Sequence, residues 1–235
     1  MGLPPNSAAE EEEMEIKFDR VIDLSYPVDE DPPRELPIDP PRIYDTATIE
    51  RDGYFEGRVD LSGHCSTHID VPALMYADGK TVDQIDPRRL YGRAILMDLS
   101  ERLKPGDAIT QGMIQKWINQ NGDIPEGIIL FIRTGMQSYA YQPIFNRQWI
   151  GLDGDAASFL CSKGIKLIGS DSPNIDCVAG KDLDFPAHHT FLKHDIPNVE
   201  NLTNLDLLPR EFFVVVAPMK LARSSGAPTR VFAFI

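Results

Sequence analysis

The chain has 235 residues, 42% of them hydrophobic, and a formal net charge of −13. That apolar content is enough to bury a full core, and one domain is the expected count at this length. The acidic balance opposes the basic footprint that nucleic acid or an anionic lipid surface requires, so neither is an expected partner.

Residues 1–15 are rich in Pro, Ala and Glu and offer little apolar surface to offset the entropy of ordering; they are expected to form a disordered acidic tail ahead of a single domain over 16–235. The N-terminus has no basic segment followed by an apolar one, and no apolar run reaches the roughly 18 residues needed to span a bilayer. Cys65, Cys161 and Cys177 are odd in number and lack paired short spacings, which fits a reducing compartment. The expected location is cytoplasmic.

In "VIDLSYPV", Val21, Ile22 and Leu24 predict a first short strand. The proline-rich "DEDPPRELPIDPPR" that follows cannot sit inside a sheet and reads as a long loop of the kind that covers sites. "GRVDLSGHC" sets Val59, Leu61 and Gly63 against Arg58, Asp60 and Ser62, the period of a half-buried strand. "RAILMDLS" and "GIILFIRTG" are dense apolar runs between turn residues and predict buried strands. Between them "TQGMIQKWINQNG" offers Thr110 as an N-cap, puts Met113, Ile114, Trp117 and Ile118 on one face, and ends on Gly122.

"DGDAASFLCSKG" repeats the helical pattern, with Asp155 near its start and Gly164 as its cap, and leads into the strand "IKLIGSD". "HHTFLKHD" predicts a short helix, "FFVVVAPMKL" a strong strand and "RVFAFI" a terminal one. The pattern is mixed α/β, without an internal repeat.

All five histidines, at 64, 68, 188, 189 and 194, fall into two groups. His64, His68 and Asp70 offer two neutral imidazoles and a carboxylate, a set suited to zinc, manganese or iron. On an extended segment the spacing of His68 and Asp70 points both to one face, with His64 reaching back from the preceding turn. The bland alternative is a pair of loop-capping histidines and an aspartate holding the backbone before Pro72. The second group lies in "AHHTFLKHDIPNVENL", where His188 and His189 precede Glu200 by about a helix and a turn; its bland alternative is a solvated helix face.

"HCSTHIDVP" resembles the H-x-G-T-H-x-D-x-P-x-H signature of the cyclase family of metal-dependent hydrolases, which includes bacterial kynurenine formamidases and isatin hydrolases. The resemblance extends through "VIDLSYPV", "DGKTVDQID", "FIRTG", "GSDSPNID" and "HHTFLKHDIPNVENLTNLDLLP", which run in family order from about residue 20 to the C-terminus. It implies a swivelling β/β/α domain in a homodimer or higher homo-oligomer. It also implies one or two divalent metals per chain, zinc or manganese. His64, His68 and Asp70 would be first-site ligands, and His188 and Glu200 would either complete a second site or act on water and substrate. Two positions depart from the signature. Ser66 replaces its glycine, and Leu74 stands where its last histidine, an acid/base group, belongs; leucine carries no proton.

The expected reaction is hydrolysis of a small amide or cyclic amide (an aryl formamide, a lactam or an imide) by a metal-activated water. Glu200 is the candidate proton acceptor, and His188 or His189 the candidate acid. The apolar run from Val71 to Tyr76 would wall the site and favour an apolar substrate. A metal-dependent cyclase or lyase is the alternative within enzymes, made more plausible by Leu74. A non-catalytic ligand-binding member of the family is the alternative outside them.

Overall fold

The computed structural model of the chain describes residues 17–35, 37–181 and 184–235. The acidic tail expected over 1–15 lies outside the described residues. The strands in chain order are β1 (Val21–Asp23), β2 (Arg42–Ala47), β3 (Glu56–Asp60), β4 (His68–Asp70), β5 (Tyr91–Asp98), β6 (Ala108–Ile109), β7 (Ile129–Arg133), β8 (Gly151–Leu152), β9 (Leu167–Ser170), β10 (Asn198–Glu200), β11 (Glu211–Pro218) and β12 (Gly226–Phe234). The helices are α1 (Ile49–Asp52), α2 (Gln111–Asn121), α3 (Gly154–Ser162), α4 (Val178–Lys181) and α5 (Pro186–Lys193).

The main sheet runs β1-β12-β11-β5-β7-β9-β10-β4, and β4 also pairs with β12, so seven strands close into a barrel with β1 added beside β12. The centre of the sheet, β5, β7, β9 and β10, is parallel, and the seam at β4 is antiparallel on both sides. Alternation along each strand feeds two cores. Ala94, Leu96, Ile129, Phe131, Leu167, Val199, Val214 and Val231 share the barrel interior, whereas Ile95, Met97, Leu130, Ile132 and Ile168 pack outward. On that outer side they meet Ile114 and Trp117 of α2, Leu160 of α3 and Phe191 of α5. A strand buried on both faces reads as an uninterrupted apolar run, which is why β5, β7 and β9 stood out in the sequence.

Local chemistry sets the helix ends. The Thr110 hydroxyl accepts from the Met113 amide at the start of α2, and the Asp153 carboxylate accepts from Ala156 to start α3. The capping aspartate of α3 is therefore Asp153, two residues before the Asp155 singled out in the sequence. Gly164, at φ +71°, takes the left-handed turn that follows α3.

The expected half-buried strand at "GRVDL" forms, but not half-buried. It pairs with β2, which the sequence did not announce, in a two-stranded hairpin whose β3 residues are all exposed; Val59 keeps 49% of its surface in solvent. Alternation alone says which residues share a face, not whether anything covers it.

Candidate metal centre

The histidine signature lies at the barrel seam. On β4, Ile69 points into the interior, so His68 and Asp70 on either side of it point outward. The antiparallel register with β10 sets Glu200 opposite His68 and Val199 opposite Ile69, which puts the glutamate on the same outer face. The register with β12 sets Gly226 opposite Asp70. A Cβ at Gly226 would lie 2.5 Å from His64 Cε1, so the absent side chain is what lets the His64 ring lie against the strand. Helix α5 brings His188 in from above; Pro186 opens its first turn.

Two groups of candidate ligand atoms result, His64 with His68 and Asp70, and Asp70 with His188 and Glu200. Within each group the atoms lie within 4.8 Å of one another, and Asp70 belongs to both. His64 Nδ1 lies 2.7 Å from Asp70 Oδ1, and His64 Nε2 is 2.9 Å from the Ser225 hydroxyl. His68 Nδ1 donates to the Ser66 carbonyl at 3.0 Å, so its Nε2 faces Asp70 at 3.4 Å and Glu200 at 3.5 Å. His188 Nδ1 donates to Asp176 at 2.7 Å, and its Nε2 faces Asp70 and Glu200, each at 3.4 Å. One ring nitrogen fixed by a neighbour and the other turned inward is the arrangement of metal-ligating imidazoles.

Ser66 sits at φ +57°, the left-handed region where a glycine is unstrained. Its hydroxyl donates to the Tyr26 and Pro27 carbonyls, offsetting the strain and tying the signature turn to the start of the proline-rich loop.

The electrostatics fit a cation. Asp70 and Glu200 are buried side by side, and removing each carboxylate from water costs on the order of several kcal/mol unless positive charge answers it. Burial raises the Glu200 pKa, and the Asp70 carboxylate raises it further. Burial opposes ionisation of Asp70 as well, but the His68 and His64 imidazoles outweigh it and hold Asp70 far below the usual carboxylate range. For His68 burial wins and the pKa falls, which favours the neutral, ligating ring. Burial would also lower His188, yet its hydrogen bonds to Asp176, Asp70 and Glu200 raise it well above the ordinary value. Two buried carboxylates, three imidazoles and inward-facing lone pairs are a donor set that a divalent cation satisfies.

A cavity of about 250 Å³ opens over the two groups. Ile38, Leu74, Met75, Pro173 and Phe185 supply apolar walls, and Glu35 and Asn174 add polar groups. Leu74 and Met75 thus form the wall expected from the run after the signature, and the proline-rich loop contributes Glu35 and Ile38 as a cover.

The expected site residues His64, His68, Asp70, His188 and Glu200 come together. His189 does not: it occupies another face of α5, its Nδ1 3.1 Å from the Tyr76 hydroxyl, and lines a separate surface cavity with Cys161, Lys193 and His194. Neighbours on a helix point about 100° apart, so His188 and His189 cannot both enter one site. The sequence reading missed Asp176. Its carboxylate accepts from the Ala187 and His188 amides as well as from His188 Nδ1, and so fixes both the start of α5 and the ring. Nothing in the spacing marked it, because it acts across a loop onto a helix.

Fold and site together define a mixed α/β barrel protein with two adjoining imidazole–carboxylate groups that share an aspartate. The family profile described as "Putative cyclase" matches residues 22–177, and the chain belongs to that family. Kynurenine formamidase of Bacillus mycoides (strain KBAB4) is 30% identical over 217 residues, covering 92% of this chain and 97% of the relative. Isatin hydrolase A from Labrenzia aggregata, bound to benzyl benzoate, has a TM-score of 0.85 at 24% identity, covering 92% of this chain and 93% of that one. An isatin hydrolase bound to the product analogue thioisatinate has a TM-score of 0.84 at 26% identity, covering 92% of each chain.

Proposed function

We propose that this chain is a metal-dependent hydrolase that opens a small amide or cyclic amide, with an aryl formamide or an isatin-like lactam as the substrate class, on the swivelling β/β/α domain its family resemblance implies. The observation that carries this reading is the sharing of Asp70 between two imidazole–carboxylate groups at the floor of a narrow, apolar-walled cavity. His64, His68 and Asp70 would hold one divalent cation, zinc or manganese, and Asp70, His188 and Glu200 a second. When bound, such a cation supplies a Lewis acid for the carbonyl and brings the pKa of a water to about 7.

The chain's own residues do the rest. Asp176 holds the His188 ring with its Nε2 toward the site, a pose that supports the ligand role for His188. Ile38, Leu74, Met75, Pro173 and Phe185 exclude water and favour an aromatic or otherwise apolar acyl partner. The kynurenine formamidase and isatin hydrolase relatives support both the amide class and the aromatic preference.

The test is elemental analysis of the purified full chain for zinc, manganese and iron, followed by turnover of an aryl formamide and of isatin with the matched metal. One or two equivalents per chain together with cleavage of either substrate supports the reading; metal-free protein after reconstitution with each ion would sink it.

A cyclase or lyase acting on a carbonyl metabolite is the second reading, favoured by Leu74 standing in the cavity wall where the family signature has a proton-carrying histidine. Its mark would be carbon–carbon or ring-closing chemistry with no amide turnover.

The same reading includes a homodimer or higher homo-oligomer and a cytoplasmic setting. The β2–β3 hairpin leaves Ile43, Tyr44, Tyr54, Phe55 and Val59 in solvent, and an isolated two-stranded ribbon is marginal without cover. In a chain of net charge −13, Arg42, Arg51 and Arg58 alternate there with Asp45, Glu50, Asp52 and Glu56, a mixed pattern that can answer itself across a twofold. Light scattering should report an oligomer that Phe55→Asp with Val59→Asp converts to smaller species. Three cysteines, an odd number without paired short spacings, suit a reducing compartment, and among the described residues no helix is long and apolar enough to cross a membrane.

A further inference from the structure

We infer that Glu35, on the proline-rich loop, is the proton carrier of this site and takes over the part that Leu74 cannot play. The inference rests on the hydrolase reading above.

Hydrolysis of an amide forms a C–O bond and breaks a C–N bond, whose electron pair leaves with nitrogen. One proton must travel from the attacking water to that nitrogen. The described side chains lining the cavity include six that can titrate: Glu35, His64, His68, Asp70, His188 and Glu200. Five of them form the two ligand groups, where a cation would compete with a proton for the same oxygen and nitrogen lone pairs. Glu35 is the sixth.

Its position is built. Arg34, its neighbour in sequence, donates through Nε to the Ile38 carbonyl at 2.9 Å and through a terminal nitrogen to Asp31 at 2.7 Å, while the Ile38 amide donates to the Glu35 carbonyl at 3.1 Å. These bonds hold Glu35 beside Ile38. The Glu35 carboxylate then accepts from the buried Asn174 amide at 2.8 Å, and Asn174 is itself anchored by accepting from the Asp176 amide at 2.8 Å. Asp176 thus stands behind both His188 and Glu35, so ligand and proton carrier share one support. Glu35 lines the same cavity as Asp70, His188 and Glu200, which places it beside the centre.

The step balances without a further reactant. The Glu35 carboxylate takes a proton as the C–O bond forms, returns it to the leaving nitrogen as the C–N bond breaks, and ends as it began.

The test compares wild type, Glu35→Gln and Glu35→Gln/Leu74→His, each as full-length, metal-loaded protein, on two formamides: one with a plain aniline leaving group and one with a nitroaniline that needs little protonation. Glu35→Gln should lower kcat on the plain anilide about 100-fold or more. On the nitroanilide the loss should be at least tenfold smaller, with KM little changed on both. Metal per chain and calorimetric affinity for the corresponding aniline product should match wild type. Leu74→His in the Glu35→Gln background should recover at least tenfold in kcat on the plain anilide. Equal losses on the two substrates, loss of metal, or a raised KM with kcat intact would each overturn the assignment in favour of a structural or binding role. A wild type that cleaves both substrates beside an equally fast Glu35→Gln removes Glu35 alone, whereas a wild type that cleaves neither removes the hydrolase reading and this role with it.

Discussion

Asp70 is the residue on which the site turns, because its two oxygens face different partners: Oδ1 toward His64 and His68, Oδ2 toward His188. Asp70→Ala should therefore empty both positions at once and abolish turnover, as elemental analysis and assay on one preparation would show. Asp176 acts one step further out. Replacing its carboxylate by an amide keeps the shape but turns an acceptor into a partial donor at His188 Nδ1. Asp176→Asn should weaken metal affinity or activity by about 10- to 100-fold while leaving the fold intact, which titration with a competing chelator would measure. The candidate ligands were legible in the sequence because histidines are scarce there and cluster, and because their surroundings resemble a known signature. Asp176 and Glu35 were not, since one acts through a hydrogen bond to a helix start and the other sits in a loop whose prolines announce only that it is irregular.

At the level of elements, what could be read depended on burial. Strands with both faces covered announced themselves, as did α2 with its threonine cap. The hairpin was half-read, with β2 unseen and β3 given a buried face it lacks, because among the described residues no core of this chain packs against it. β12 shows why register matters as much as strand identity. "RVFAFI" marked only its end, yet its first residues close the barrel against β4 and bring Gly226 against His64. Gly226→Ala should push the His64 ring from its place, costing about 1–3 kcal/mol of stability and weakening the first metal group. Denaturant unfolding and metal content should move together; a stable variant with full metal would contradict the packing argument. At the other end of β12, Arg230 pairs with Asp23 of β1 at 2.7 Å. Burial opposes ionisation of Asp23, but the hydrogen bonds from Arg230 and Ser25 prevail and lower its pKa. A lowered carboxylate contributes stability above its unfolded pKa of about 3.9 and loses it as pH falls through the folded value. The pair is largely exposed, so Arg230→Gln should cost little stability near pH 7, a small difference that closes on acidification below that pKa.

For the molecule as a whole, the candidate centre sits at the seam where the barrel closes. β4 is three residues long and yet supplies the closure between β10 and β12, and its outward side chains are a histidine and an aspartate instead of apolar residues that would hold it by packing. Without a cation, the buried Asp70 and Glu200 carboxyls are answered only by the imidazoles around them. With one, β4, β10, α5 and the His64 turn are tied to a common point. Binding to the native state alone stabilises by RT ln(1 + [L]/Kd), about 4 kcal/mol when the free ion stands at 1,000 times Kd. In a domain of this size each kcal/mol moves Tm by about 2–4 °C, so stripping the metal with a chelator should lower Tm by about 10 °C. Hydrogen exchange should then quicken at β4 and β10 before it does at β5 and β7, whose amides lie in the parallel centre of the sheet. Asp70→Ala should give the same Tm with and without chelator. If chelation left the wild-type Tm in place although metal had been removed, the seam would be held by the strand pairing alone, and the ligands would be a site carried by the barrel instead of part of what closes it.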